Sequence, residues 1–321
     1  MSQERFLVTG ALGCIGAWVV KNLIQAGAPT AVLDLSANAH RMKLIMSDEE
    51  IALVRFITGD ITDLNSVKRA FEESQATQVI HLAGLQVPFC KADPPLGARV
   101  NVVGTVNIFE AAKQTGLKRV VYASSIAVYG PPGDYPAGPI AHEAAHRPRT
   151  HYGVYKQANE GTAKIYWYDD GLSSIGLRPY VVYGPGRDQG LTSDPTKAML
   201  AAAAGKPFHI GYAGRFDMQY ADDVAKSFIH ATRVPFEGAD AFNLRCSIVS
   251  MAEIVAAVEA AEPTSRGQIT FEKIILPFPE EMDGSAITKA LGALPHTPLV
   301  EGVAQTIAIF KEAITAGRLP V

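Results

Sequence analysis

Short apolar runs alternate with longer stretches of helical periodicity through the first 180 residues. Apolar runs of roughly four to eight residues bounded by turn residues are typical of buried strands, and apolar positions spaced by three or four indicate helices. The predicted strands are 5–10, 30–35, 54–60, 78–84, 118–125 and 172–179. The predicted helices are 14–27, 62–73, 98–116 and 151–170.

This alternation predicts a doubly wound α/β fold of the Rossmann type. Strands separated by helices need right-handed crossovers, which give a mainly parallel sheet covered on both faces. After Pro179 the rhythm changes, with glycine and proline clustered at 183–190 and an alanine-rich helix at 195–205. We therefore predict a larger domain of residues 1–180 plus 219–249. A smaller C-terminal lobe would comprise residues 181–218 plus 250–321.

Composition narrows the possible partners and location. The chain has 321 residues, 29 basic against 32 acidic, and no basic cluster, so we expect no nucleic-acid partner. No apolar stretch approaches the roughly 20 residues that span a bilayer, and no signal peptide is recognisable, so we expect no membrane partner. Cys14, Cys90 and Cys246 lie far apart, which predicts neither disulfides nor a metal site and favours a cytoplasmic location.

The segment TGALGCIG, residues 9–16, places Gly10, Gly13 and Gly16 between a predicted strand and a predicted helix. Glycines there let the backbone approach a pyrophosphate, and free N–H groups at the helix start favour its negative charge. Asp34 ends the next strand, where a carboxylate holds a ribose 2′-hydroxyl and repels a 2′-phosphate. The sequence thus favours NAD over NADP. A purely structural turn with an incidental aspartate is the alternative.

Tyr152 precedes Lys156 by one helical turn in THYGVYKQ. Side chains with this spacing share a helix face and can touch, although many helices carry such a pair without chemistry. A free tyrosine has a pKa of about 10, and a nearby ammonium group lowers that value. The pair therefore provides a candidate base with a candidate pKa modifier.

The glycine loop and the tyrosine–lysine pair together resemble the extended short-chain dehydrogenase/reductase family, also called NAD-dependent epimerases/dehydratases. Further segments resemble family signatures in the same order along most of the chain. They are GDITD (59–63), HLAG (81–84), NVVGTVNIFEAA (101–112), YASSIAVYG (122–130), LRPYVVYGPGR (177–187) and QYADDVAKS (219–227). The resemblance implies hydride transfer between a substrate carbon and bound NAD.

The resemblance also implies roles for individual residues. The implied catalytic residues are Ser125, Tyr152, Lys156 and Asn101. The implied cofactor-binding residues are Gly10, Gly13, Cys14, Ile15, Gly16, Asp34, Asp60, Ile61, Leu82, Ala83, Gly84, Asn101, Ser124, Tyr152, Lys156, Tyr180 and Val182. Lys156 would bind the nicotinamide ribose, Ser125 the reacting oxygen, and Ser124 would lie nearer the nicotinamide. The structural alternatives are an exposed helical pair for Tyr152 and Lys156, a strand terminus for Ser124 and Ser125, and an N-cap for Asn101.

The substrate is less well defined by the sequence. Family members that act on nucleotide sugars carry an asparagine where this chain has Val181 and an arginine where it has Phe216. Ile126 and Ala127 replace the Asp-Glu pair of the family's dehydratases, so water elimination is not expected. The proposed substrate-binding residues are Gln86, Ser125, Tyr152, Arg187 and Arg215, with His209 as a further candidate. Solvated loop residues or structural ion pairs explain the charged ones equally well.

We therefore expect an NAD-dependent oxidoreductase or epimerase that acts at a secondary hydroxyl of a sugar, sugar acid or polyol, with Tyr152 as the base. A nucleotide-sugar 4-epimerase is the alternative, and a non-catalytic NAD-binding regulator is a third reading. The helices at 98–116 and 150–170 resemble those that pair in the family's dimer. We accordingly expect a homodimer, although a monomer with wet amphipathic helices also fits the sequence.

Overall fold

A seven-stranded sheet, in which every neighbouring pair of strands is parallel, forms the centre of the larger part of the molecule. The computed structural model describes residues 4–319. In spatial order, with labels that follow the chain, the strands are Arg55–Thr58 (β3), Thr30–Asp34 (β2), Phe6–Thr9 (β1), Gln78–His81 (β4), Arg119–Ala123 (β5), Ser173–Arg178 (β6) and Ala239–Asn243 (β10). This order confirms the predicted doubly wound fold.

Helices cover both faces of this sheet, and others pack around the smaller sheets. In chain order the helices are Cys14–Gln25 (α1), Asp48–Ala52 (α2), Leu64–Ser74 (α3), Val87–Ala92 (α4), Pro94–Ala98 (α5), Gly104–Gln114 (α6), His151–Asp170 (α7), Asp194–Ala203 (α8), Ala221–Arg233 (α9), Met251–Ala261 (α10), Ser285–Leu291 (α11) and Leu299–Thr315 (α12). Alternate residues of β1 enter different cores: Val8 packs in the core that contains Phe228 of α9, and Leu7 packs in the core that contains Phe109 of α6. Two-sided burial explains the continuous apolar runs.

The helical segment observed in this region differs from the helix predicted at 98–116 in where it begins and in its regularity. The helical segment already begins at Pro94, because Pro94 and Pro95 fit the first turn and Asp93 Oδ1 accepts a hydrogen bond from Leu96 N at 2.9 Å. It then passes through a π-helical turn at Arg99–Val103 before α6. Such turns occur frequently at functional sites and are not visible in hydrophobic periodicity.

Two small sheets lie outside the seven-stranded sheet. Val181–Tyr183 (β7), Arg215–Tyr220 (β9) and Ser247–Ser250 (β11) form one, and Phe208–Ile210 (β8) pairs with Ile269–Phe271 (β12) in the other. Within the predicted return segment 219–249, β10 completes the large sheet, whereas the end of β9 and the start of β11 belong to the small one. The proposed domain boundaries stay a prediction, and residues 1–3 and 320–321 lie outside the described residues. Within residues 4–319, no helix is both long and apolar enough to cross a membrane.

Candidate active site

A cavity of about 830 Å³ opens at the carboxyl ends of the central strands, where ligands of doubly wound folds bind. Nearly all residues proposed from the sequence line it. They are Gly10, Gly13, Cys14, Ile15, Gly16, Asp34, Asp60, Ile61, Leu82, Ala83, Gly84, Gln86, Ser124, Ser125, Tyr152, Lys156, Tyr180, Val182 and Arg187. Asn101 and Arg215 do not line it.

The glycine loop fits a dinucleotide phosphate by its geometry. A Cβ on Gly10 would lie 2.5 Å from the Ala83 nitrogen, and one on Gly16 would lie 2.3 Å from the Gly10 oxygen, so neither position accepts a side chain. A Cβ on Gly13 would meet only the Gly10 oxygen at 3.2 Å, which leaves its other side open. Gly13 begins α1 without a side-chain cap, so the first N–H groups of this helix stay available to an anion.

Asp34 is fixed at the cavity edge by the backbone. Its Oδ2 accepts a hydrogen bond from Leu12 N at 3.1 Å, and its Oδ1 accepts one from Leu35 N at 2.9 Å. The first bond ties the end of β2 to the glycine loop. A carboxylate thus stands beside the loop, as binding of an unphosphorylated ribose requires.

Lys156 and Tyr152 lie together on the N-terminal part of α7, which begins at the predicted position because the Thr150 side chain caps it. Lys156 is 4% exposed; its Nζ donates to the Ala123 oxygen at 2.7 Å and lies 5.6 Å from the centroid of the Tyr152 ring. Burial lowers the pKa of Lys156 to about 8. The two side chains therefore do meet, with the ammonium over the ring face.

Several groups shift the pKa of Tyr152 in this structure. Burial raises the pKa of Tyr152, whereas the Ser125 hydroxyl and the positive charge of Arg187 lower it. Lys156 Nζ bonds to a backbone oxygen and not to the phenol group. The expected lowering of the Tyr152 pKa by Lys156 stays a prediction.

Two adjacent serines, Ser124 and Ser125, directly follow β5 and have different environments. Ser125 Oγ accepts a hydrogen bond from Ala127 N at 3.1 Å and lies near the Tyr152 hydroxyl, whose pKa it lowers. Ser124 is buried, and its hydroxyl donates to Glu160 Oε1 at 2.5 Å. The Ser124 hydroxyl is therefore directed into the protein, although the residue lines the cavity.

Asn101 lies in the π-helical turn, one layer behind the cavity. Its Nδ2 donates to the Leu85 and Gly97 oxygens at 3.1 Å each, while Oδ1 is buried without a hydrogen-bond partner among the described residues. A Cβ on Gly84 would lie 2.6 Å from Asn101 Oδ1 and 3.6 Å from Lys156 Nζ, so both polar atoms approach the same side of Gly84. The N-cap alternative is wrong, because Asn101 lies inside the helical segment.

A buried ion pair beneath the serines was missed by the sequence reasoning. Arg178 Nε and one terminal nitrogen donate to the two Glu160 carboxylate oxygens at 2.8 and 2.7 Å, and both residues are 4% exposed. Glu160 also accepts from Ser124 and lies near His146. Glu160 follows Lys156 by one helical turn, which is the signal that would have placed it on the same face.

Two proposed residues of the smaller lobe lie elsewhere. Arg215 is exposed, lies 3.7 Å from Glu253 and 3.9 Å from Glu280, and lines a separate cavity of about 430 Å³. His209 is exposed and bonds to Thr270 on the neighbouring strand and to Glu272 directly after that strand. The structure therefore does not bring these two side chains to the cavity that contains Tyr152.

Comparison with known proteins gives consistent matches over most of the chain. The model of the NAD dependent epimerase/dehydratase family matches residues 6–244. A UDP-glucose 4-epimerase of Mycolicibacterium smegmatis is 31% identical over 96% of this chain and 98% of its own. The crystal structure of the Thermus thermophilus UDP-glucose 4-epimerase in complex with NAD superposes with a TM-score of 0.81, at 28% identity over 96% of this chain and 99% of that chain.

The fold extends to enzymes with other substrates. An L-threonine dehydrogenase of Clostridium difficile reaches a TM-score of 0.83 over 97% of this chain and 99% of its own, at 22% identity, which shows the fold alone. The family match covers well over half of the chain, and the cavity fits a dinucleotide. The chain therefore belongs to the NAD-dependent epimerase/dehydratase family of extended short-chain dehydrogenases/reductases, as an enzyme whose cofactor is NAD.

Proposed function

We propose that this enzyme transfers a hydride between NAD and the carbon that bears a secondary hydroxyl in a small, carbohydrate-like substrate. The observation that carries the proposal is the position of Tyr152 and Ser125, which both line the cavity that also contains the glycine loop. A proton donor or acceptor beside a dinucleotide site suits alcohol oxidation, because the hydroxyl proton leaves as the hydride is transferred.

In this proposal Tyr152 accepts the hydroxyl proton and Ser125 holds the reacting oxygen. Bound NAD supplies the hydride acceptor and a positive ring. That charge adds to the effect of Arg187, and together they oppose the rise in the pKa of Tyr152 caused by burial. Lys156 binds the nicotinamide ribose through Nζ, and Asn101 supports Gly84 from behind the cavity. Asn101 acts as a positioning residue, since it does not line the cavity.

The cofactor contacts follow the course of the cavity. The glycine loop would hold the pyrophosphate, Asp34 the adenosine ribose, and Asp60 with Ile61 the adenine. The backbone of 82–84, together with Tyr180 and Val182, would flank the nicotinamide half. Asp60 Oδ1 is already fixed by Thr62 N at 2.8 Å, and Ile61 is buried against Gly104. Both are therefore held in place before any ligand arrives.

We favour a substrate without a nucleotide. Val181 is 1% exposed inside β7 and does not line the cavity, so it supplies no group for a diphosphate. Arg215 is neutralised by Glu253 and Glu280. Glu281 at the same smaller cavity is likewise paired with Arg245.

A UDP-sugar 4-epimerase is the second candidate, because the Mycolicibacterium and Thermus relatives bear that name over nearly the whole chain. The two candidates differ in net redox change. A dehydrogenase accumulates NADH with substrate turnover, whereas an epimerase returns the hydride and leaves NAD unchanged. A regulator that only binds NAD has no need for Ser125, Tyr152 and Lys156 together, which disfavours the third reading.

NADH formation across a panel of sugars, sugar acids, polyols and UDP-sugars tests the proposal, with the bound cofactor identified after denaturation. We expect catalytic NADH formation with at least one nucleotide-free compound. Failure of every free carbohydrate together with interconversion of UDP-glucose and UDP-galactose would establish the second candidate. NAD binding without conversion of any panel member would support the regulator.

We also propose a homodimer formed through α7 and the helical segment that contains the π-helical turn. Large apolar side chains are exposed on these elements: Val103 at 44%, Val154 at 47%, Ile165 at 56% and Tyr168 at 73%. Such clustered exposure is typical of an interface. The cytoplasmic location expected from the sequence stays a prediction.

A further inference from the structure

Arg187 carries a guanidinium group in the active-site cavity without an acidic partner. Three arginines line this cavity, and two of them are neutralised: Arg41 by Asp188 at 2.8 Å and Arg149 by Asp134 at 2.7 Å. Within residues 4–319, no carboxylate oxygen lies within 4.0 Å of the Arg187 nitrogens. Arg187 is therefore the arginine of the cavity whose charge is still available to a ligand.

The contacts of Arg187 are few and weak for a half-buried cation. One terminal nitrogen donates to Gln86 Oε1 at 3.4 Å, the other donates to Thr192 Oγ1 at 3.3 Å, and Nε is buried without a partner among the described residues. Both acceptors are neutral and at the long end of the hydrogen-bond range. A partly desolvated charge with such partners is stabilised when an anion binds to it.

The turn after β7 is built to hold this arrangement. Gly184, Gly186 and Gly190 all have positive φ angles of 92° to 128°. A Cβ on Gly190 would lie 2.2 Å from Gln86 Oε1 and 3.1 Å from a terminal nitrogen of Arg187. Only glycine at position 190 therefore lets the Gln86 side chain reach Arg187, and the backbone conformation there also favours glycine.

The charge of Arg187 reaches the reacting end of the cavity, since it lowers the pKa of Tyr152. Gln86 and Thr192 line the same cavity and have side chains that bond to hydroxyl groups as well as to carboxylates. An anion at Arg187 would thus belong to a molecule that also reaches Tyr152 and Ser125. A planar guanidinium matches the two oxygens of a carboxylate.

We propose that Arg187, Gln86 and Thr192 form a carboxylate subsite and that the substrate is a sugar acid, a conclusion that rests on the proposed function. The carboxylate binds to Arg187 and stays chemically unchanged. At the reacting carbon the C–H bond would break with its electron pair going to bound NAD, the hydroxyl proton would go to the ionised phenol oxygen of Tyr152, and a carbonyl group would form. NAD is reduced and the alcohol is oxidised, so electrons and atoms balance.

A diphosphate is the other anion that could bind to an arginine here. A diphosphate carries more charge than a single guanidinium neutralises. The exposed arginines Arg215 and Arg245 are already paired with glutamates. The surroundings of Arg187 thus favour a single carboxylate, and the experiment compares sugar acids directly with UDP-glucose.

Calorimetric titration of the enzyme–NAD complex tests the subsite without requiring turnover. The probes are D-glycerate, D-threonate, D-gluconate and D-glucuronate, each beside its neutral counterpart, together with UDP-glucose. At least one acid should bind to the wild-type enzyme roughly 10- to 100-fold more tightly than its neutral counterpart, as a charge-assisted bidentate contact gives. Equal binding of all acids and their counterparts, or tighter binding of UDP-glucose through Arg187, overturns the proposal.

Variants of single arginines test whether the preference for the acid depends on Arg187. Arg187→Met should remove the preference for the acid, Arg187→Lys should retain part of it, and Arg245→Met, in an exposed paired arginine, should leave it intact. NAD affinity, measured separately, should change less than about threefold, because the glycine loop supplies the pyrophosphate contacts. A loss confined to NAD affinity would assign Arg187 to the cofactor and overturn the subsite. If Arg187→Met does not fold, the wild-type comparison and Arg187→Lys still show whether the preference for the acid depends on Arg187.

These experiments distinguish a failure of the carboxylate subsite from a failure of the proposed oxidation. Arg187-dependent binding of an acid without NADH formation would retain the subsite and overturn the proposed oxidation. Oxidation of neutral carbohydrates without any preference for acids would retain the proposed function and overturn the subsite.

Discussion

Lys156 lies over the face of the Tyr152 ring, with Nζ 5.6 Å from the ring centroid, and its hydrogen bond goes to the Ala123 backbone oxygen at 2.7 Å. The pair predicted from a four-residue spacing is thus real, but its geometry is that of a cation above an aromatic ring. In the proposed function this buried ammonium binds the nicotinamide ribose. It also makes the stability of the enzyme depend on pH.

Burial lowers the pKa of Lys156 from an ordinary value of 10.5 to about 8. Between these two values the unfolded chain binds more protons at this residue than the folded chain, so this residue makes wild-type stability rise with pH across that window. Below the folded-state pKa the full penalty for burying the charge is present. Lys156→Met removes it.

We therefore expect the free energy of unfolding of Lys156→Met, relative to wild type, to fall by about 2 to 3 kcal/mol between pH 7 and pH 10. Urea unfolding at a series of pH values measures this difference. Lys206→Met, in an exposed lysine, is the control and should give a flat difference. A flat difference for Lys156→Met as well would mean that Lys156 keeps an ordinary pKa.

The ion pair of Glu160 and Arg178 should hold β6 against α7. Glu160→Ala leaves a buried guanidinium without its partner and should cost about 3 to 5 kcal/mol of stability. Glu73→Ala, in the exposed pair with Arg55, should cost at most about 1 kcal/mol. Thermal or urea unfolding of both variants gives the comparison. Similar small losses would show that the buried pair contributes no more than a surface pair.

Asp34 should determine the choice of dinucleotide. Asp34→Asn keeps a similar shape but removes the charge, so NAD affinity should fall roughly tenfold, while NADP binding should improve because the repulsion of its 2′-phosphate is gone. Asp63→Asn is the control, since Asp63 caps α3 outside the cavity and asparagine caps helices equally well. Unchanged selectivity in Asp34→Asn would refute this role.

The proposed dimer depends on the apolar residues exposed on α7. Ile165→Glu should convert the dimer to a monomer in light scattering, because a charge is introduced into an apolar contact. Leu53→Glu, at another exposed apolar position, should leave the dimer unchanged. A wild-type protein that scatters as a monomer would contradict the proposal directly.

The sequence was sufficient to predict the elements that interactions between residues close in sequence define. The strand–glycine loop–helix unit, Asp34 and the helix that begins after Thr150 lie where periodicity and capping predict them, because short-range sterics and hydrogen bonds define these features. The doubly wound, parallel arrangement of the sheet also followed from the alternation of strands and helices.

Other features required three-dimensional information. The π-helical turn around Asn101, whose side chain bonds to the Leu85 and Gly97 oxygens, leaves no periodic signal. Ser124 was expected near the nicotinamide, but its hydroxyl direction depends on Glu160, which lies 36 positions away in sequence. Arg187 and Arg215 were indistinguishable as charged loop residues. Only their partners separate them, since Arg215 has glutamates nearby and Arg187 has none within reach among the described residues.

The most direct test of the account compares wild-type enzyme with Tyr152→Phe and Tyr155→Phe in steady-state NADH formation, with the best nucleotide-free substrate of the panel. Tyr155 lies on the same helix, and its hydroxyl donates to the Pro94 oxygen at 2.9 Å, so Tyr155→Phe should keep near-normal turnover. Tyr152→Phe should lose roughly 100- to 10,000-fold in turnover while its NAD affinity stays within about threefold of wild type. Near-normal turnover in Tyr152→Phe would contradict the assignment of Tyr152 as the base.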